Sequence, residues 1–451
     1  MTIQHRTIPL DSFDPLAAWL ALGAPAPGFV ESAMTHERIG RTSILPLRAP
    51  WRLRLDHRGL ARVSGDREEN QTGDLWRYLK DPLQRYDADS ACLFPGGWFG
   101  LFGYDLAGQI EELPRRARRD LPVPELSLYW VDAVAVYHHA DKRLELASLD
   151  AHLDLEPWID ILTRPPSLPA NADPRVEAPR PVLAPEQFAA MVERARAYIA
   201  AGDIYQANIS CRFDGRIDGP LWPLYHRLRE VNPSPFAGLF VSPEVELASG
   251  SPERLVRLEG SLAETRPIAG TRPRGYTLPE DVRLGHELLG HPKERAEHIM
   301  LVDLERNDLG KVCRIGSVEV DELMVLERYS HVTHIVSNVR GQLRPECDAV
   351  DLVRAMFPGG TITGVPKKRC MEIIDELEPV GRGSYTGSLG YISVTGHLDL
   401  NILIRGFQRV GHHLSYQAGA GIVADSIAEM EWQECLNKGQ ALQVALQPFT
   451  S

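Results

Sequence analysis

The sequence predicts an α+β architecture, and three observations carry that prediction. Strand-like and helical segments are interspersed without the strict β-α-β rhythm of a parallel sheet. Alternating runs such as Trp51-Arg-Leu-Arg-Leu55 and Ala133-Val-Ala-Val-Tyr-His138 have the period of half-buried strands. At 451 residues with 43% hydrophobic content the chain can bury a large core, and length alone allows two or three domains or one large unit.

Composition narrows the partners. The net charge of −12 comes from 61 acidic and 49 basic residues mixed along the chain, which argues against nucleic acid or an anionic membrane as a general partner. Any anionic ligand must be met by a local site. Six scattered cysteines (Cys92, Cys211, Cys313, Cys347, Cys370, Cys435) form no Cys-x-x-Cys pair and have no histidine at zinc spacing, the pattern of reduced, buried thiols. The N-terminus lacks the apolar core of a signal peptide, and no apolar run is long enough to span a bilayer. A cytoplasmic protein is expected.

In chain order, a first half, 1–163, holds the alternating strands and the segment Pro95-Gly-Gly-Trp-Phe-Gly-Leu-Phe-Gly-Tyr104-Asp105. Its glycines call for close backbone approach and wrap a strand against the second half. A linker, 164–185, follows, in which Pro165, Pro166, Pro169, Pro174, Pro179, Pro181 and Pro185 interrupt regular structure. In the second half, 186–447, Phe188, Met191, Val192, Ala195, Tyr198 and Ile199 recur at helical spacing, and Gly202 stands where that helix would stop. A strand through Ile204-Tyr-Gln-Ala-Asn-Ile209 comes next. Near the end, Ser388–Val394, Leu398–Phe407 and His412–Ala418 read as an antiparallel meander with turns at Thr395-Gly-His397 and Val410-Gly-His412. A Gly-rich turn, Gly419–Ile422, then leads into a helix for which Asp425 and Ser426 are acceptable caps.

Two helical segments carry paired carboxylates, Glu294-Arg-Ala-Glu297 and Glu431-Trp-Gln-Glu434. A spacing of three puts both members of a pair on one helix face. Such a face is either solvated or, where two helices converge, an all-oxygen pocket suited to Mg2+, which takes a few carboxylates and completes its shell with water and substrate oxygens. Pro358-Gly-Gly-Thr-Ile-Thr-Gly-Val-Pro-Lys367 offers amides, two hydroxyls and a lysine for a carboxylate or phosphate, without the glycine spacing of a Walker loop. Lys438, one turn beyond Glu434, and Arg405, in a run of otherwise apolar strand residues, are two more cations expected to face inward. An inward arginine serves as either the partner of a buried carboxylate or a ligand for an anion.

These motifs together resemble the chorismate-utilising enzymes, which include anthranilate, aminodeoxychorismate, isochorismate and salicylate synthases. The resemblance is carried by Ser251-Pro-Glu-Arg254, Arg266-Pro-Ile-Ala-Gly-Thr-Arg-Pro-Arg-Gly275, Glu297 to Asp308, the Thr361 loop, Glu376-Leu377 and Gly421-Ile-Val-Ala-Asp-Ser426. It is dense from about Pro185 to Leu446 and looser before that. It implies a β-sandwich of two large sheets flanked by helices. It also implies Mg2+ held directly by Glu297 and Glu434, with Glu294 and Glu431 holding its waters. Arg405, Tyr385 and the amides around Gly419 and Gly421 are implied as the grip on the enolpyruvyl side, with Thr361 and Lys438 near the carboxylates. Glu253 resembles the general acid, and His334 a histidine beside the ring.

Gln206 stands where the water-adding members carry a basic lysine. Glutamine cannot deprotonate water but can orient an amine. No amidotransferase module is visible, so the resemblance implies ammonia from a separate glutamine amidotransferase subunit. The wording at Tyr205-Gln-Ala-Asn208, Gly100 to Leu106 and Gly359 to Gly364 is closer to aminodeoxychorismate synthases. Ala269, at the position of their nucleophilic lysine, is what anthranilate synthases carry. The expectation is amination of chorismate to 4-amino-4-deoxychorismate, on the para-aminobenzoate and folate branch. Anthranilate formation is the alternative, and a non-catalytic chorismate- or tryptophan-binding regulator the remote one. Glu31-Ser32 resembles a corner of a tryptophan pocket found in both synthases.

Overall fold

The computed structural model describes residues 3–34, 39–86, 92–165, 167–169, 172–328 and 332–450. Met1, Thr2 and Pro166 of the segments discussed above lie outside the described residues. Among the described residues two 12-stranded sheets dominate, and all their strand pairs are antiparallel. Helices flank them, so the α+β sandwich expected from the sequence is what forms.

Each sheet is built jointly by the two halves. In one, Gly28–Glu31 pairs with Phe236–Val241, so five strands of the first half continue into strands of the second. In the other, Gly97–Phe102 pairs with Ser388–Ser393. The glycines of that strand permit the approach: a Cβ on Gly97 would lie 2.3 Å from the Ile392 carbonyl oxygen. Side chains from both sheets, among them Ile44, Val134 and Val136 from one and Phe99, Val131 and Tyr391 from the other, pack into one buried cluster between them. The outer faces are covered by helices, including Pro185–Ala200 and Ala428–Leu446 on one sheet and Ala349–Met356 on the other.

Four expectations are corrected. The Pro-rich linker contains a strand, Arg175–Pro181, at the edge of a sheet. An edge strand tolerates prolines because half of its amides face no partner. The run Leu398–Phe407 is two strands, Leu398–Asn401 and Gly406–Val410, in different sheets. The chain crosses between them through Arg405, whose φ of 54° lies in the left-handed region, outside the extended range of a regular strand. Gly419–Ile422 is not a turn but the end of the strand His413–Ile422, paired with Gln206–Asp218. The helix that follows has Ile427 at its N-cap with no side-chain cap; Ser426 accepts from the Val423 amide, and Asp425 pairs with Lys293. Among the described residues, no helix is long and apolar enough to cross a membrane.

Candidate active site

The helices Pro292–Gly310 and Ala428–Leu446 bring the two carboxylate pairs together. Lys293, in the first turn of one, bridges to Asp425, just before the other, at 3.1 Å. Burial raises Glu297 to about 7; Lys293 opposes this, and Glu294, Asp425 and Glu434 add to it. Glu431 is raised by burial, with Glu434 adding. Glu434 pairs with Lys438 at 2.8 Å and Glu294 with Arg272 at 3.3 Å. No cluster of three or more potential ligands is preformed among the described residues. The donor set nevertheless fits Mg2+, which commonly takes one or two protein carboxylates and leaves the remaining positions to water and substrate.

Glu253 occupies the turn between the strands Glu246–Ser251 and Arg254–Glu259 and is 7% exposed. The Thr361 hydroxyl donates to its Oε1 at 2.7 Å. Burial raises its carboxyl to about 7 against the Thr361 hydrogen bond, Arg405, Lys438 and the Ile268 amide, all of which lower it. His334 is buried with Nδ1 2.9 Å from the Thr271 hydroxyl, and burial together with Arg405 holds it down at about 4. It is therefore neutral near pH 7. Burial lowers Arg405 from the usual arginine value and raises the Tyr385 hydroxyl.

Lys438 links the two ends of the site, reaching both Glu434 and the Gly419 carbonyl at 3.0 Å. Gly419 and Gly421 serve as clearance: a Cβ would lie 2.6 Å from Asn208 Oδ1 in one case and 2.4 Å from Gln206 Nε2 in the other. Oε1 of Gln206 and Oδ1 of Asn208 are buried without a hydrogen-bond partner among the described residues. Ala269 lies on the strand Ile268–Pro273, opposite Ile335, and offers only a methyl group. Its neighbour Gly270 would place a Cβ 2.9 Å from Glu294 Oε2, so this strand runs from the carboxylate pairs to His334.

The predicted anion loop behaves differently from its reading. Thr363 bonds back to the Gly359 carbonyl, and Lys367 turns to Asp308 at 2.5 Å and to the Met356 carbonyl at 2.9 Å. Only Thr361 of its side chains reaches Glu253. Glu31 and Ser32 do border a cavity of about 280 Å³, shared with Arg41, Asp399 and Asn401. The Glu31 carboxylate accepts from Tyr225 and Arg229, and the Ser32 hydroxyl lies within hydrogen-bond reach of the Thr42 and Pro235 carbonyls.

Sequence reasoning missed the buried pair Glu378–Arg382, whose guanidinium and carboxylate meet at 2.8 Å. Arg382 donates to the carbonyls of Ile362 and Asn208, and Glu378 accepts from the Ser210 amide and hydroxyl. The pair thus fixes the strand of Gln206 against the loop of Thr361. Its one signal, a Glu and an Arg four apart, straddles the helix end at Leu377. Glu376, two residues earlier, bonds to Tyr198 instead.

The chain is similar to known proteins in sequence and in fold. An aminodeoxychorismate synthase component 1 from Bacillus subtilis is 45% identical over 398 residues, covering 85% of this chain and 84% of that one. An anthranilate synthase component I-like protein from Synechocystis is 43% identical over 456 residues, 96% and 93% of the two chains. The solved anthranilate synthase component I of Streptococcus pneumoniae superposes with a TM-score of 0.79 at 32% identity, over 91% of this chain and 94% of that one. The model of the chorismate binding enzymes spans residues 49–444, which include Gln206, Glu253, the carboxylate pairs and Lys438, and the chain belongs to that family.

Proposed function

We propose that the protein aminates chorismate at C4, giving 4-amino-4-deoxychorismate, with ammonia from a glutamine amidotransferase subunit. The observation that carries the ammonia reading is Gln206: a buried amide oxygen without a partner can accept from ammonia and aim its lone pair, yet cannot act as a base for water. The supply from a partner fits relatives named as component 1 of their synthases. It also fits the chain's thiols, of which Cys92, Cys211, Cys370 and Cys435 are buried and raised by that burial, unlike an activated nucleophile.

In this reading Arg405 and Tyr385 hold the enolpyruvyl side, and Lys438 and Thr361 flank the carboxylates. Glu253 gives its proton to the departing C4 hydroxyl, which leaves as water while the C4–N bond forms. A carboxyl raised to about 7 by burial retains a proton to give near neutral pH. His334, uncharged, adds no competing cation beside the ring. Glu297 and Glu434 would hold Mg2+, with Glu294 and Glu431 behind its waters. Once bound, the ion supplies Lewis-acid neutralisation of the ring carboxylate. No covalent enzyme intermediate forms at Ala269, which has no nucleophile to offer.

The folate-like wording around Leu101, Tyr205 and Gly359 favours C4, while Ala269 favours the second reading, anthranilate formation. The Glu31–Ser32 cavity is a candidate tryptophan pocket under both. Incubation with chorismate, Mg2+ and ammonium, followed by an aminodeoxychorismate lyase, tests the choice. The account expects p-aminobenzoate and no adduct in the intact mass of the enzyme. Fluorescent anthranilate appearing directly would move the protein to the tryptophan branch.

A further inference from the structure

An acid that protonates a departing hydroxyl must be reloaded before the next turnover, and the groups that act on Glu253 are poorly suited to do it. Thr361 is a hydroxyl that donates to the carboxylate, and Arg405 and Lys438 are cations whose charge holds the carboxylate form. Behind Thr361 stands a second carboxyl that the mechanism leaves unused. Glu305, on the helix Pro292–Gly310, is 3% exposed, and its Oε2 has no hydrogen-bond partner among the described residues. It accepts from the Gly360 amide, and a Cβ on Gly360 would fall 3.0 Å from its Oε1. Gly360 is the residue before Thr361, so one short loop touches both carboxyls.

Its helix neighbours Leu304 and Asp308 border a cavity open to the surface, although Glu305 itself does not line it. Asp308, one turn along the same helix, pairs with Lys367 at 2.5 Å and Lys311 at 2.8 Å. Asp308, Lys311 and Lys367 line a cavity of about 720 Å³ that also includes the exposed side chains of Tyr205 and Ile299. Glu305 is therefore flanked by two residues that line this cavity, Leu304 and Asp308, and by the loop that holds Glu253. Burial raises its proton affinity, Asp308 and Glu253 add to the effect, and Lys367 opposes it. Asp308, paired with two lysines, thus adds to burial in favouring the protonated form of its neighbour.

We propose that Glu305 is a proton relay that reloads Glu253 between turnovers, drawing on water in the cavity at Asp308 and Lys367. In each cycle the O–H bond of Glu253 breaks as the departing hydroxyl becomes water. The O–H bond of Glu305 then breaks as that of Glu253 re-forms, and Glu305 recovers its proton from the cavity. Glu305 acts on the reaction only through Glu253, and the inference rests on Glu253 being the general acid.

Rapid-quench kinetics of the full chain with chorismate, Mg2+ and ammonium separates the first turnover from later ones. Glu305→Gln, pre-equilibrated about one pH unit below the value of about 7 at Glu253, should run its first turnover near the wild-type rate because Glu253 is then mostly protonated. Later turnovers should slow by about tenfold or more, within the range by which positioned proton transfer alters rates. Glu305→Asp, which keeps a carboxyl, should recover much of the loss. Equal slowing of first and later turnovers, or no slowing of either, would overturn the relay. If Glu305→Gln does not fold, wild-type enzyme in deuterated water decides: the relay expects a larger isotope effect on later turnovers than on the first, and equal effects would refute it. Glu253→Gln should be slow from the first turnover; if it is not, the general-acid assignment fails, and that result is distinguishable from failure of the relay alone.

Discussion

Glu253 and Glu297 are both raised to about 7, yet they stand in opposite company. At Glu253 burial alone raises the carboxyl, and each of its named neighbours, the Thr361 hydroxyl, Arg405, Lys438 and the Ile268 amide, pulls it down. At Glu297 burial is reinforced by three further carboxylates, with Lys293 as the opposing cation. Added positive charge would therefore relieve repulsion at Glu297, whereas Glu253 already has its cations and lacks only water. Similar proton affinities thus arise from a shielded acid at one end of the site and from crowded anions at the other. The first suits giving a proton, the second suits holding a divalent ion.

The contrast can be broken most forcefully at Glu253. Glu253→Gln should cost about 10²- to 10⁴-fold in kcat with little change in the KM for chorismate. An unchanged kcat in steady-state assays would remove the acid. Next in size is the response to metal. Mg2+ at about 100 times its Kd should stabilise the wild-type protein by about 2.7 kcal/mol, read as a rise in Tm. Glu253→Gln should keep that rise and Glu434→Gln should lose it. Loss in both would mean that the two ends are not separate.

Thr361→Val sharpens the acid end alone. The hydroxyl stabilises the Glu253 carboxylate, so removing it lets the proton persist to higher pH. Wild-type kcat should fall as pH rises through about 7, and in Thr361→Val that fall should occur at higher pH; a move to lower pH would contradict the assignment. The smallest effect is expected from Gln206→Lys, which should divert a minor share of product to water-derived isochorismate or salicylate, detected by chromatography. A folded, chorismate-binding variant with no such product would count against the role of Gln206.

How much of this was legible in the sequence follows from what each pattern depends on. The helix Pro185–Ala200 and the carboxylate pairs were readable because a helix face repeats locally. Glu253, Gln206 and Ala269 were legible only through resemblance, since isolated residues in turns and short strands carry no period. The crossover at Arg405 was hidden because the residues on either side of it are strand-forming; only the backbone shows that they belong to different sheets. The strand His413–Ile422 was cut short because Gly419 and Gly421 look like a turn, although they are small to clear the amides of Asn208 and Gln206. Glu305 and the Glu378–Arg382 pair gain their meaning from segments distant in the chain, which no local pattern records.

The most direct test of the division is a titration of turnover with free Mg2+ in Glu253→Gln and Glu297→Gln, beside the wild type. The account predicts that Glu297→Gln is nearly inactive at low Mg2+ and regains activity as Mg2+ rises, while Glu253→Gln stays slow at every concentration. Recovery of Glu253→Gln by Mg2+, or normal activity of Glu297→Gln at low Mg2+, would contradict it.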